Sequence, residues 1–252
     1  MSPNPFKKLI RFLIPPAFWL GVWQLTAMAV NMELKLPTPI SVLQALSEMI
    51  FEPLFWQSAA ASLGRIFLGM AVGTLFGVLL AILTSLSSWA NAILAPAIKV
   101  VRATPVISFI LLVWLWVSRS YVPSVIAALM VLPVVWLNVS RGIIETDKQL
   151  LELARSYRFG TFKTLRLVYL PSVKPYFASG VNTAMGLAWK SGVAAEAICL
   201  PAAAIGTQVY YAKLYLESPD LFAWTAIVIL LSFLLEKLIA HLLGEGKRGF
   251  AS

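Results

Sequence analysis

Three stretches of this chain run without a single charged side chain: Phe12–Met32, Ile66–Ile98 and Ser120–Ser140. A helix rises about 1.5 Å per residue, so roughly 20 residues cross about 30 Å of hydrocarbon, and each stretch is long enough. A soluble core has no room for so many apolar residues. Charged residues make up only 12% of the chain, against about 25% in soluble domains. The sequence therefore specifies an all-α protein built to sit in lipid.

Two further runs are interrupted. Pro175–Cys199 contains Lys190 and Glu196, and Leu221–Leu243 contains Glu236, Lys237 and His241. Between Arg102 and Arg119 only Ala103–Ser118 is uncharged, about 24 Å of helix. A span there must start earlier, near Lys99, with Arg102 snorkelling to the interface. The expected total is six spans. Lys7, Lys8 and Arg11 precede the first of them. That run is too long for a signal-peptide core and no small-residue cleavage site follows it, so it reads as a retained helix.

Orientation follows from the basic residues. With an even number of spans both ends share a side. That side carries thirteen Lys and Arg (at 7, 8, 11, 141, 148, 155, 158, 163, 166, 174, 237, 247 and 248), against four (Lys35, Arg65, Arg119 and Lys213) on the other. The bias places both termini in the cytoplasm. The expected divisions are a cytoplasmic N-terminus (1–11), a membrane unit (12–243) and a cytoplasmic tail (244–252). The basic excess is explained by topology, and nothing in the pattern calls for nucleic acid.

The largest basic cluster lies in residues 141–174. Ile143, Leu150, Ala154 and Tyr157 share one helical face; Glu145, Lys148, Glu152 and Arg155 share the other, with Lys148 and Glu152 an i,i+4 pair. Gly160 supplies a break, Thr161 an N-cap, and Pro171 an end to a second helix carrying Phe162, Leu165 and Tyr169. Periodicity alone allows two readings of this elbow: a docking element, or an amphipathic loop lying on anionic headgroups.

The order of residues resembles the "EAA" loop in permease subunits of bacterial ATP-binding-cassette importers: Glu152, Leu153 and Ala154 open it, and Val168, Leu170 and Pro171 close it at the family spacing. Leu153 replaces an alanine, and Arg158 stands where that loop has glycine. "LPTPISVLQAL" (36–46), "SLGRIFLGMAVGTLFGVLLAI" (62–82), "VVRATPVISFILLVWLW" (100–116) and "AWKSGVAAEAI" (188–198) are similar to the subgroup that carries nitrate, sulfonates and taurine. The resemblance implies a type I importer permease whose coupling loop, 144–171, docks on a cytoplasmic ATPase. It implies Glu152 and Ala154 in that contact, with Arg155, Arg158 and the Gly160 turn nearby. It further implies a homodimer or paired permeases, two ATPase subunits and an extracytoplasmic solute-binding protein.

No G-x-x-x-x-G-K-[ST] loop occurs, so this chain is not expected to hydrolyse ATP itself; the resemblance implies ATP-Mg on the partner ATPase and no cofactor on this chain. Lone His241 and lone Cys199 offer no metal-ligand set. Gly69, Gly73 and Gly77 form a small-residue stripe that suits close packing within the chain or a seam between copies, the first being favoured. Lys190 and Glu196 fall about 22 and 31 Å along a helix counted from Pro175. Lys190 is then deep in the bilayer, as a pathway group meeting an anion or as half of an ion pair. Arg102, Thr104 and Pro105 mark a polar, kink-prone point on the third span and, with Lys190 and Glu196, are the candidate residues of a translocation pathway. An ion-coupled secondary transporter is the rival reading, but no internal repeat supports it.

Overall fold

The computed structural model describes residues 5–243, with side chains from residue 13 onward. The 244–252 tail lies outside the described residues, as do the side chains of Lys7, Lys8 and Arg11. Among the described residues there are eleven α-helices and no strand.

Most helices begin where the chain supplies a starting signal. Pro39 opens α2 (Pro39–Met49) behind a Thr38 cap, whose hydroxyl accepts from the Ser41 amide at 3.2 Å. Prolines in the first turn also open α3 (Pro53–Leu86), α6 (Val122–Ile144) and α11 (Ser218–Leu242), where a missing N–H costs least. α1 spans Pro5–Val30. At 34 residues α3 is about 51 Å long, so it projects beyond the hydrocarbon and starts well before the expected Ile66.

Helix α6 is the central rod. It packs along α3 on one side and along α9 (Leu170–Cys199) on the other. The Gly69–Gly73–Gly77 stripe makes the first contact possible. A Cβ on Gly73 would come 2.5 Å from the Ala128 carbonyl oxygen, and one on Gly77 2.9 Å from that of Leu132. The stripe thus serves packing within the chain. On the other side Gly180 admits Asn138 of α6. Val131, Val135, Ala184, Ala188 and Trp189 fill the resulting core, and the Trp189 indole donates to the Val228 carbonyl at 2.9 Å.

The expected third span is not one rod. α4 (Ser88–Ala103) and α5 (Val106–Trp114) meet at 104°, with Thr104 extended between them. Pro105 removes an N–H and drives the residue before it out of the helical region. A full break results rather than a kink. Likewise the uncharged run 66–98 is divided at Ser87, whose hydroxyl caps α4 by accepting from the Ala90 amide.

By length and composition α1, α3, α6 and α11 are each able to cross a membrane, and the broken α4–α5 pair makes a fifth if counted as one. The 30-residue α9 is long enough but carries Lys174, Lys190 and Glu196, and α3, α6, α10 (Ile205–Leu214) and α11 pack against it.

Candidate functional site

Two regions carry polar chemistry the core does not need. The first is the elbow. Helix α7 (Lys148–Ser156) starts at Asp147, whose carboxylate accepts from the Gln149 amide at 2.8 Å. That cap was readable as an acidic residue just before a periodic run, yet sequence reasoning missed it. α7 ends with Arg158 in the left-handed region at φ 52, while the Phe159 amide donates to the Ala154 carbonyl at 2.8 Å. The turn therefore falls at Arg158, where the family pattern has glycine. Gly160, at φ −67, has no conformational need to be glycine. The cap of the short α8 (Thr161–Thr164) is Gly160, not Thr161. Nor does Pro171 end the second helix: α8 passes through a π-turn at Leu165–Tyr169 directly into α9, with Pro171 in its first turn.

Burial on the elbow departs from the expected two-faced helix. Of the anticipated inner face only Ala154 is buried, at 3% exposure. Leu153 is 54% exposed, Tyr157 70% and Phe162 75%. Glu152, Arg155 and Arg158 are exposed beside them. No ion pair joins Lys148 to Glu152; the charged contact here is Arg141 to Glu145, at 2.9 Å. Tyr176 also donates to Glu145. These two donors, Tyr176 first, hold the Glu145 carboxyl below its ordinary range.

The second region is one stripe of α9. Ser179, Thr183, Leu187, Lys190 and Ala194 are all exposed and fall at helical spacing on a single face. A hydroxyl–hydroxyl–ammonium row is a poor surface to turn to lipid. Lys190 lines an open groove of ≈ 330 Å³ with Asn182, Thr183, Gly186, Leu187 and Glu236. Gly186 is what lets Glu236 approach, since a Cβ there would lie 2.9 Å from its carboxylate.

Glu196 is not on that stripe. It is fully buried, facing α3 and α10, where Ser62 donates to it at 2.7 Å and Arg65 lies 3.5 Å away. Arg65 and Ser62 were missed as its partners because the expected span began just after them. Arg102 is exposed in the last turn of α4, Thr104 donates to the Val100 carbonyl at 2.8 Å, and Pro105 caps α5. The structure brings the elbow residues together; it does not gather Arg102, Lys190 and Glu196 into one site.

The helical fold is shared with known proteins. Residues 73–244 match the model for the binding-protein-dependent transport system inner membrane component. The chain belongs to that family. This permease is 27% identical to the taurine transport system permease protein TauC of Escherichia coli, covering 85% of this chain and 80% of that one. It is 30% identical to the nitrate import permease protein NrtB of Leptolyngbya laminosa, covering 75% and 72%. It is 26% identical to a putative aliphatic sulfonates transport permease protein, SsuC of Bacillus subtilis, covering 84% and 77%. Among solved structures, an amino acid ABC transporter matches with a TM-score of 0.64 at 21% identity, over 81% of this chain and 97% of that one. An ABC transporter involved in alginate import matches at 0.63 and 14%, over 97% and 100%. The permease is thus a membrane transport subunit of an ABC importer, not a catalytic enzyme, and ATP hydrolysis belongs to a separate subunit.

Proposed function

We propose that the permease forms half of a two-fold pore, with six spans and both termini in the cytoplasm, and that its elbow docks on an ATPase. The spans are α1, α3, the α4–α5 pair, α6, α9 and α11. One observation carries the docking: Leu153 on a short helix capped by Asp147 and anchored by Ala154, Tyr157 at its end and Phe162 on the next helix all stand exposed. Large apolar side chains beside exposed Glu152 and Arg155 make a surface with an apolar centre and a charged rim, as partner-binding patches have. ATP-driven closure of the ATPases then pushes α7 and rocks α6 and α9 together, alternating access to a central site.

The transported solute is a small oxyanion handed over by an extracytoplasmic binding protein. The relatives named for sulfonates, taurine, nitrate and bicarbonate support this class. So does Lys190, an ammonium without an ion-pair partner among the described residues, set in the polar groove of α9.

The test is reconstitution in proteoliposomes with the cognate ATPase and binding protein. Glu152→Arg is expected to lose the ATPase on purification and to lose uptake, while still inserting in the membrane. Lys190→Met is expected to keep the assembly and lose about tenfold in oxyanion uptake, the size of one removed charge-assisted contact. Normal uptake by Glu152→Arg defeats the docking reading. Uptake driven by an ion gradient without the ATPase defeats the whole proposal.

A further inference from the structure

The end of the bundle opposite the elbow holds a buried charged network that transport as described above does not use. The five-residue connection between α9 and α10 (200–204) is tied to α3 through both polarities of its backbone. Arg65 of α3 donates from Nη2 to the Ala202 carbonyl at 2.8 Å and from Nη1 to that of Ala203 at 3.0 Å. The amides that follow turn the other way. Ile205 N donates to the Ser62 hydroxyl at 2.9 Å, and Gly206 N donates to Glu196 Oε2 at 3.2 Å. The Ser62 hydroxyl donates a hydrogen bond to the same carboxylate oxygen at 2.7 Å, and Glu196 Oε1 faces Arg65.

This arrangement has a cost that packing alone does not require. Leu200 and Ala203 are both left-handed, at φ 51 and 45, without being glycine. The Glu196 carboxylate is fully buried, with Oε2 accepting two hydrogen bonds and Oε1 left to the half-buried Arg65 at 3.5 Å, and removing a charge from water is costly. A few apolar residues would close the end of a bundle more cheaply. What the network adds is direction: Arg65 and Ser62, one turn apart on α3, grip the connection while Glu196 holds the first turn of α10 from inside α9. Gly206 brings those two helices into backbone contact, since a Cβ there would lie 2.6 Å from the Ala197 nitrogen.

The geometry points to Arg65 and Glu196 as positioning residues that make α3, the far end of α9 and α10 move as one body. Motion delivered to α9 at the elbow then reaches α10, and a signal arriving at α10 returns to the elbow. The inference rests on the docking proposed above. Its distinct content is that communication between the two ends passes through this latch.

The test compares wild type, Arg65→Ala, Arg65→Lys and Glu196→Gln in the full complex with ATPase and binding protein. ATPase co-purification, basal hydrolysis, and the stimulation of hydrolysis by solute-loaded binding protein are measured on each. Arg65→Ala and Glu196→Gln are expected to keep the ATPase bound and its basal rate near wild type, yet to lose stimulation about tenfold, as severing a coupling between sites does. Arg65→Lys, able to reach one carbonyl but not to fork across two, is expected to fall between. Wild-type stimulation in Arg65→Ala overturns the latch. So does a parallel loss of assembly, basal rate and stimulation in all three variants, which makes the network a brace and nothing more. Failure of the earlier reading shows differently, as a wild-type complex that binds no ATPase.

Discussion

The two ends of this bundle are finished by opposite means. At the elbow, apolar side chains stand in the open and the one firmly buried residue of α7 is an alanine. Its polar clip, Arg141–Glu145–Tyr176, lies on the surface. At the far end the polar groups turn inward: Glu196, Ser62 and Thr207 are buried, and each has a named partner. The Trp23 indole and the Ser218 hydroxyl also close loops there, donating to the carbonyls of Pro37 and Leu34. Both ends leave aromatic side chains exposed, Phe51, Trp56 and Tyr215 at the far end and Tyr157 and Phe162 at the elbow, but the buried carboxylate with its hydrogen bonds lies at the far end.

Two glycines give the largest break in the comparison. Gly206→Ala, at the far end, drives a methyl against the Glu196 Cβ and the Ala197 nitrogen, each 2.6 Å from where it must sit. Backbone cannot yield as a flexible side chain does, so a loss of about 3 kcal/mol or more is expected. Gly160→Ala, at the elbow, meets nothing within 4 Å and is expected to change stability by no more than about 0.5 kcal/mol. Thermal unfolding of both variants in one detergent checks the contrast. Equal midpoints remove it.

A smaller effect, of opposite sign, belongs to Arg158. Its left-handed backbone carries a steric cost of about 1–2 kcal/mol that glycine avoids, partly offset by the freedom glycine has in the unfolded chain. Arg158→Gly is expected to raise stability by roughly 0.5–1 kcal/mol while weakening ATPase capture. That pairing, read from unfolding and co-purification together, marks a residue kept for its contact rather than for its fold. A stabilised variant with full capture shows that the arginine contributes nothing to docking.

How much of this was legible in the sequence depends on the distance over which each feature acts. Uncharged runs act locally and pointed to α1 and α6, and a run interrupted only near its end pointed to α11; the four-residue glycine spacing marked the packed face of α3. The elbow was found by its residue order, but not its turn, because a left-handed arginine has no sequence signature. Pro105 announced a disturbance, yet a proline permits both a kink and a 104° break, and packing decides between them. The partner of Glu196 was out of reach. Ser62 lies 134 residues away, and counting the span from Ile66 left Arg65 among the loop charges. The site on α9 was half legible: Lys190 declared itself as a charge in an apolar run, whereas its groove with Glu236 needed two helices in place.

The smallest expected effect concerns acid, and it separates the two ends by solvent access. Glu145 is exposed, and the Tyr176 hydroxyl, then the Arg141 guanidinium, lower its pKa below the ordinary 4.5. A carboxylate whose folded pKa lies below its unfolded one contributes stability above the unfolded value and loses it as pH falls through the folded value. Acid should therefore loosen the elbow clip, and only below the ordinary carboxylate range. Tyr176→Phe removes the larger of the two donors. Midpoints of wild type and Tyr176→Phe, followed from about pH 6 downward, are expected to be separated at the upper end and to draw together as pH falls below the ordinary carboxylate range. The shift is small because water competes for every group involved. Curves that instead diverge toward acid reverse the sign, and the clip is then not what fixes α9 to the end of α6.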